Sequence, residues 1–295
     1  MIVITTPTGH IGSKVLEKLL ETNERLRVIA RDPSKLSDEV KQKVEIVQGS
    51  LDNFETVSKA YQGADELFLV VPPSVQYIDV NEYYMDFALP TCEAIGKHGV
   101  KRVVFVSGTG LGFEKNAGPV SAAFLVEEAL EATGAATRIL HCGTFMENLL
   151  HSVQSIKFKS EHENAVPAGV KYPWVATKDI ADAAVDLLLD KTWIGAGSRG
   201  VLGPEDLSYA EITKIMSEVL GKEIRYREIP GEELRATLIQ YGATEAAAQG
   251  IVDICNSIKN GIFNMVPRTP ETSSPTTFRT WCEEVFKPAV QKEVE

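Results

Sequence analysis

Short apolar runs alternate with segments of helical periodicity along the first half of the chain. The runs at residues 2–4, 26–30, 44–47, 67–71, 102–106 and 137–140 are rich in Val, Ile, Leu and Phe and predict six strands. Between them, apolar residues recur three and four positions apart and predict helices, for example at Ile11, Val15 and Leu19. This alternation predicts an α/β fold in which a doubly wound parallel sheet carries helices on both faces.

The pattern changes beyond about residue 150. Residues 151–173 have no clear period, and a helix is expected at 177–189 with a further strand near 200–202. Ser208 and Glu211 form a capping box before the next helix, which Gly221 ends, and a strand at 224–229, two helices within 231–260 and an amphipathic helix at 277–286 follow. We expect residues 1–150, with a return segment at about 175–205, to form the sheet domain. Residues 151–295 would form mostly a small C-terminal α+β lobe on the substrate side.

Composition narrows the class of partner. The 295 residues are 44% hydrophobic and 24% charged, with a net charge of -11, which argues against nucleic acid or an anionic membrane as the main partner. No apolar run has the length of a membrane span, and the first residues lack a basic leader, so we expect a cytoplasmic protein. The four cysteines are scattered without a Cys-x-x-Cys pair, so we expect neither a metal site nor a disulfide framework.

The first twelve residues carry the strongest chemical signal. A buried strand, a Thr/Pro/Gly turn and a helix follow one another, which is the arrangement that holds dinucleotide phosphates. Gly9 would let the backbone approach a pyrophosphate, and Gly12 would let the helix pack close to the strand. Thr6 stands where a first glycine is customary, so the motif is Thr-x-x-Gly-x-x-Gly. A plain strand-to-helix turn is the alternative.

Several segments in order along the chain resemble the NmrA-like branch of the atypical short-chain dehydrogenases/reductases. They are Thr-Gly-His-Ile-Gly at 8–12, Ala-Arg-Asp-Pro at 30–33, Gly-Ser-Leu-Asp at 49–52, Phe-Met-Glu-Asn at 145–148, and the segments at 100–107, 178–181 and 201–208. Within the branch, the chain is similar to festuclavine dehydrogenases and to NADPH quinone and triphenylmethane-dye reductases. The resemblance implies a Rossmann fold and a reductase that passes hydride from NAD(P)H to a small conjugated acceptor.

The second strand ends at a candidate for reading the cofactor's ribose. A guanidinium at Arg31 can fork onto a 2′-phosphate, assisted by Lys35, which favours NADP(H) over NAD(H). Asp32 favours NAD(H) instead, because a carboxylate could accept a hydrogen bond from a 2′-hydroxyl. A solvated loop charge is the alternative for Arg31. The full expected cofactor site is Thr6, Thr8, Gly9, His10, Ile11, Gly12, Arg31, Lys35, Asp52, Val71, Pro72, Pro73, Ser74, Cys142, Gly143, Thr144 and Phe145.

One residue and one loop of that set follow from the resemblance. Asp52 would lie near the adenine, with a helix N-cap as the alternative. The loop from His141 to Phe145 would lie along the nicotinamide, with backbone N–H groups free to meet the cofactor. Phe145 and Met146 would wall a flat apolar pocket, for which Tyr77, Tyr83, Tyr84, Trp174 and Phe263 are further candidates. Plain core packing is the alternative for each.

The catalytic Tyr-x-x-x-Lys pair of ordinary short-chain dehydrogenases is absent, because no tyrosine here has a lysine four residues later. Relatives among the quinone and dye reductases carry His or Lys at the position of Ala123. Ser107 occupies the place of the short-chain dehydrogenase serine, and His141 is a candidate acid, with a turn serine and a structural histidine as alternatives. Glu127 and Glu128 are expected on a solvated helix face.

Three functions follow from these residues. The first is a reductase acting on a small imine, quinone or dye-like substrate, as a monomer or homodimer. The second is a non-catalytic NAD(P)-binding regulator that senses redox state, which the missing proton donor favours. The third is an isomerase or epimerase that keeps its cofactor through turnover, and the lack of an acid–base pair weighs against it.

Overall fold

A parallel sheet forms the centre of the computed structural model, which describes residues 1–292. The strands in chain order are β1 Ile2–Ile4, β2 Leu26–Ala30, β3 Glu45–Gln48, β4 Glu66–Leu69, β5 Arg102–Gly108, β6 Ala136–Cys142, β7 Thr144–Phe145, β8 Glu161–Asn164, β9 Tyr172–Val175, β10 Ala196–Val201, β11 Asp206–Leu207 and β12 Arg225–Glu228. Seven of them make the main sheet in the order β3-β2-β1-β4-β5-β6-β10. The order reverses between β1 and β4, where open parallel sheets bind ligands at the carboxyl ends of their strands.

Helices cover both faces of this sheet. They are α1 Gly12–Leu19, α2 Asp38–Lys43, α3 Phe54–Tyr61, α4 Val80–His98, α5 Pro119–Ala132, α6 Val153–Lys159, α7 Thr177–Leu189, α8 Tyr209–Leu220, α9 Gly231–Gln240, α10 Glu245–Lys259, α11 Phe278–Trp281 and α12 Lys287–Gln291. Alternate residues of β5 face the helix layers on the two sides of the sheet. Val104 and Val106 face the core that contains α1 and α7, whereas Val103 and Phe105 face α3, α4 and α5.

The sequence-based fold class is confirmed, since the main sheet is parallel and its helices lie on both faces. The six expected strands are present, the first two with the expected ends and the others with ends shifted by one or two residues. β4 ends at Leu69 and not at Val71, whereas β5 and β6 each end two residues later than expected. The capping box of α8 is present as expected, and Gly221 ends this helix in a left-handed conformation.

The expectation that residues 151–173 are irregular is wrong for much of that segment. A 3₁₀ helix over Met146–Ser152 extends into the first two residues of the segment. α6 follows it, and β8 comes next. β8 is polar and shows no alternation of hydrophobic residues. It is held by parallel pairing with β12, where opposite charges meet, as in the 2.7 Å ion pair of Arg227 with Glu163.

The C-terminal part of the chain, after about residue 145, packs around a separate aromatic core. Two small sheets, β11-β9-β7 and β12-β8, surround a cluster that includes Trp174, Tyr209 and Phe278. The last expected helix is interrupted, since α11 passes into a π-helical turn over Cys282–Phe286 before α12. β10 and α7 belong to the main sheet layers, and the domain boundary near residue 150 stays a prediction. Among residues 1–292, no helix has the length and apolar character that crossing a bilayer requires.

Candidate functional site

The turn between β1 and α1 is packed so closely that residue 12 must be glycine. A Cβ on Gly12 would lie 2.2 Å from the Thr6 carbonyl oxygen and 2.9 Å from that of Thr5, both of which are backbone atoms. A Cβ on Gly9 would lie 3.4 Å from the Thr6 oxygen, which is ordinary contact. Gly12 therefore sets how near α1 lies to the strand, while Gly9 is exposed and a side chain there would meet Thr6 only at ordinary contact distance.

Thr6 takes the backbone conformation that a glycine would normally supply. Its φ is 48°, in the left-handed region, where a non-glycine residue costs roughly 1–2 kcal/mol. The turn closes through the amide of Gly9, which donates to the Thr6 carbonyl oxygen over 2.9 Å. The threonine thus reproduces the glycine geometry of the motif at a cost in strain.

The start of α1 can receive an anion. Its N-cap residue is Ile11, which has no side-chain acceptor, and no side chain of the described residues caps this end of the helix. Of its first amides, that of Ser13 already donates to the Gly9 carbonyl over 3.0 Å. Uncapped amides at a helix N-terminus carry a partial positive charge and bind phosphate. The close packing at Gly12 and the uncapped amides together fit the pyrophosphate of a dinucleotide.

Arg31 and Asp32, just past β2, differ in how their charges are engaged. Asp32 Oδ1 accepts from the amide of Ser34 over 3.0 Å and from its hydroxyl over 2.6 Å. These bonds hold the pKa of Asp32 below its usual value, and the side chain caps the 3₁₀ turn Pro33–Lys35. Arg31 is exposed, and within residues 1–292 its guanidinium has no hydrogen-bond or ionic partner. Lys35 is also exposed and lies in the same turn.

Asp52 does not cap the helix that follows β3. That role belongs to Asn53, whose Oδ1 accepts from the amide of Thr56 over 2.9 Å. The N-cap alternative for Asp52 is therefore wrong. Asp52 is exposed beyond the carboxyl end of β3. Burial raises the pKa of Tyr83, Ser74 and Arg31 lower it, and Asp52 makes the smallest contribution, which raises it.

The loop after β4 joins the sheet edge to the C-terminal helices. Val71 is buried, and the carbonyl of Pro72 accepts from the Tyr83 hydroxyl over 2.8 Å. Farther along, the amide of Thr244 donates to the Val75 carbonyl over 2.9 Å. Pro73 is exposed, Ser74 is half-buried, and Tyr77 packs 5.7 Å from Tyr83. The loop thus lies under the α9–α10 connection at the carboxyl end of the sheet.

Three polar side chains meet in the interior where β5 and β6 end. Ser107 and His141 are paired in register, and both contact Glu127, which reaches the sheet from α5. The Ser107 hydroxyl donates to Glu127 Oε1, and His141 Nε2 lies 3.1 Å from Glu127 Oε2. Ser107, Glu127 and His141 are 5%, 4% and 7% exposed. The expectation that Glu127 is solvated is wrong, whereas Glu128 is exposed as expected.

A sequence signal for the burial of Glu127 exists. Ala123, Val126 and Leu130 are buried, so the spacing places Glu127 on the same face of α5 as its apolar residues. A carboxylate on an apolar stripe must find partners inside the protein. Here the partners come from two strands that are distant along the chain.

The loop after β6 offers fewer open backbone donors than expected. The amide of Gly143 donates to the Val201 carbonyl over 2.9 Å, so this N–H is not available to a cofactor. A Cβ on Gly143 would lie 2.9 Å from the Pro173 carbonyl oxygen, which explains the glycine there. Cys142 is 1% exposed, and burial raises the pKa of its thiol. Thr144 and Phe145 are half-buried in β7, which pairs with β9.

Several aromatic candidates for the pocket belong to the core instead. Trp174 is 1% exposed and donates its indole N–H to the Leu207 carbonyl, and Met146 is fully buried. Phe263 is 7% exposed and stacks on Tyr172. Tyr83 and Tyr84 are half-buried and stay candidates for a pocket wall. Within residues 1–292, no cluster of His, Cys, Asp and Glu has the arrangement of a metal site.

Comparison with known proteins places these features in one family. The model of the NmrA-like family matches residues 1–265. The NAD(P)H azoreductase of Xenophilus azovorans is 30% identical over 256 residues, which is 86% of each chain. The crystal structure of an NADPH-dependent quinone oxidoreductase from Escherichia coli, in complex with NADPH, superposes with a TM-score of 0.81 at 20% identity, covering 97% of this chain and 100% of that one.

A second solved structure has the same fold. The triphenylmethane reductase of Citrobacter sp. with NADP(H) superposes with a TM-score of 0.79 at 19% identity, covering 95% of this chain and 98% of that chain. The family model spans both the sheet and most of the C-terminal part, and it includes every residue of the candidate site. This chain belongs to the NmrA-like family.

Proposed function

We propose that this protein is an NAD(P)H-dependent reductase of small conjugated acceptors. The observation that carries the proposal is the uncapped start of α1, fixed by the close approach of Gly12 to Thr6, beside the reversal of strand order. The relative that is 30% identical is an NAD(P)H azoreductase, and two structural neighbours were solved with NADPH or NADP(H).

The preferred cofactor is NADP(H). The exposed Arg31 guanidinium has no partner within residues 1–292 and can fork onto a 2′-phosphate. Asp32, which would favour NAD(H), already accepts two hydrogen bonds from Ser34. Lys35 adds a second positive charge in the same turn, and Asp52, exposed beyond the neighbouring strand, would contact the adenine.

The acceptor is a molecule that takes up hydride with little help from an acid. A bound dihydronicotinamide supplies the hydride, and the chain supplies orientation and exclusion of water. Ala123 is a buried methyl group and donates no proton, and Ser107 and His141 are both bonded to Glu127. Iminium ions and cationic dyes need only hydride, whereas quinones and azo compounds also need protons, which solvent would deliver.

Consumption of NADPH with a panel of acceptors tests the reductase. The panel should contain a cyclic iminium ion, a triphenylmethane dye, an azo dye and a quinone, and the loss of absorbance of the reduced cofactor should be followed. We expect turnover with at least one cationic member. Saturable NADPH binding without turnover of any member would contradict the proposal.

A non-catalytic redox-sensing regulator is the second candidate. The observation in its favour is Ala123, which stands where the quinone and dye reductases are expected to carry His or Lys. A partner protein that is captured in the presence of NADP⁺ and released by NADPH, from a protein that turns over no acceptor, would favour this function over the reductase.

A further inference from the structure

The carboxylate of Glu127 is buried and contacts both Ser107 and His141. We propose that Glu127 is a specificity-determining residue, because it turns the Ser107 hydroxyl proton inward and leaves the serine as a hydrogen-bond acceptor toward the substrate. This inference rests on the proposed reductase function. It predicts an acceptor molecule that carries an N–H group next to the bond that is reduced.

The direction of the Ser107 bond is the same in the two proton arrangements of the Glu127–His141 pair that leave Glu127 Oε1 without a proton. If the carboxyl is ionised, both of its oxygens can only accept, so Ser107 donates to Oε1 and His141 donates to Oε2. If the proton has moved from His141 to Oε2, then Oε1 is a carbonyl oxygen and still accepts from Ser107. Neither arrangement frees the serine proton.

No other partner competes for the Ser107 proton in the interior. Glu127 Oε1 is the hydrogen-bond partner of the Ser107 hydroxyl within residues 1–292, and the two atoms are in short contact. A bond from a hydroxyl to an ionised carboxyl is about twice as strong as a bond between neutral groups. Turning the hydroxyl outward would also leave a carboxylate oxygen unpaired at a site that is 4% exposed.

His141 reinforces this arrangement, because its Nε2 is bonded to Glu127 Oε2. Its Nδ1 has no hydrogen-bond partner within residues 1–292 and is not fully enclosed by protein atoms. The histidine therefore contacts one oxygen of Glu127 while the serine contacts the other. The lone pairs of Ser107 remain for a ligand at the carboxyl end of β5.

A protonated imine fits an acceptor at this place. Its C=N⁺–H group donates to Ser107 Oγ, and the hydrogen bond holds the adjoining carbon in one orientation. Bound NADPH would supply the hydride for the new C–H bond, and the C=N π pair would become the nitrogen lone pair, giving a neutral amine and NADP⁺. The step consumes no proton. A quinone oxygen has no donor for Ser107 and would lose this contact.

Two iminium ions of equal charge test the inference. The 3,4-dihydroisoquinolinium ion carries an N–H group, and its N-methyl form does not. With wild-type protein we expect kcat/KM to be roughly tenfold or more higher for the N–H ion, as one charge-assisted hydrogen bond permits. Ser107→Ala should bring this ratio close to one.

Variants of Glu127 separate orientation from structure. In Glu127→Gln the amide oxygen can accept from Ser107 while the amide nitrogen donates to neutral His141, so we expect the preference to survive. In Glu127→Met the serine proton has no inward acceptor, so the preference should fall at least severalfold. Glu128→Met is the matched control on the exposed side of α5 and should keep the wild-type ratio.

Binding gives a readout that does not depend on turnover. Calorimetry of the two ions with cofactor-free protein should show the same order of affinity in wild type and Glu127→Gln, and its loss in Ser107→Ala and Glu127→Met. Equal kcat/KM for both ions in an active wild-type protein would overturn the role of Glu127 and leave the reductase standing. Absence of turnover with every acceptor, together with intact NADPH binding, would instead remove the reductase.

Discussion

Glu147 Oε1 accepts a hydrogen bond from the indole N–H of Trp281 over 3.2 Å, and so connects the 3₁₀ helix after β7 to α11. The same carboxyl accepts from the amide and the hydroxyl of Thr177 over 3.0 and 2.7 Å, at the first residue of α7. Three donors from two distant segments thus converge on one side chain that is 7% exposed. Phe-Met-Glu-Asn, one of the segments that suggested the family, contains this residue.

Replacement of Glu147 should destabilise the whole fold. In Glu147→Ala the Thr177 and Trp281 donors lose their partner in a buried place, so we expect the free energy of unfolding to fall by about 2–4 kcal/mol. Unfolding in urea measures it. Glu284→Ala is the control, since its ion pair with Lys178 is exposed and should contribute less than about 1 kcal/mol. Equal losses in the two variants would contradict the role of Glu147.

Gly12→Ala should damage both stability and cofactor binding. The new Cβ would meet backbone atoms that cannot move without shifting β1 or α1, so we expect a loss of about 1–3 kcal/mol and weaker dinucleotide binding. The matched control is Gly96→Ala in α4. Nothing lies within 4 Å of its Cβ position, and we expect it to be neutral or to stabilise by up to about 1 kcal/mol. If Gly12→Ala kept the wild-type stability and dinucleotide affinity, residue 12 could not lie as close to the Thr5 and Thr6 backbone as described.

The stability of the protein should depend on His162 in mildly acidic solution. This ring is buried beside Tyr209, and desolvation lowers its pKa from 6.5 to about 4. The folded state therefore holds the neutral form while the unfolded state takes up a proton. The contribution of His162 to the free energy of unfolding is fully present above pH 6.5. It is lost as the pH falls toward 4, by up to about 3 kcal/mol in all.

Comparison of thermal unfolding at pH 7 and pH 5 isolates this effect. His162→Phe should remove most of the decline between these two values, because the titrating group is gone. His10→Asn is the control at an exposed histidine and should keep the wild-type decline. A parallel decline in wild type and His162→Phe would show that other groups cause it.

Much of the fold is readable from sequence because a parallel sheet buried on both faces demands continuous apolar runs. The β1–α1 turn was recognisable for a similar reason, since only glycine tolerates the approach seen at Gly12. Glu127 was misassigned because a charge next to Glu128 suggested a solvated face. Its partners, Ser107 and His141, come from two other elements, and their proximity is a tertiary property.

Two other errors have the same origin. β8 has no hydrophobic alternation, and its strand form depends on pairing with β12, which is distant along the chain. The amide of Gly143 was expected to be open to the cofactor, but the neighbouring strand β10 supplies its acceptor. The local sequence indicates the helix or strand propensity of a segment. Which distant strand pairs with that segment depends on the tertiary structure.

Titration of NADPH and NADH into wild-type protein and Arg31→Ala tests the central claim most directly. We expect saturable NADPH binding to wild type, and a loss of about 1.5–3 kcal/mol for NADPH in Arg31→Ala with little change for NADH, because one charge-assisted contact to the 2′-phosphate is removed. Arg25→Ala, at an exposed arginine that is paired with Glu45, is the control and should bind both cofactors as wild type does. Failure of wild-type protein to bind either dinucleotide at millimolar concentration would contradict the account.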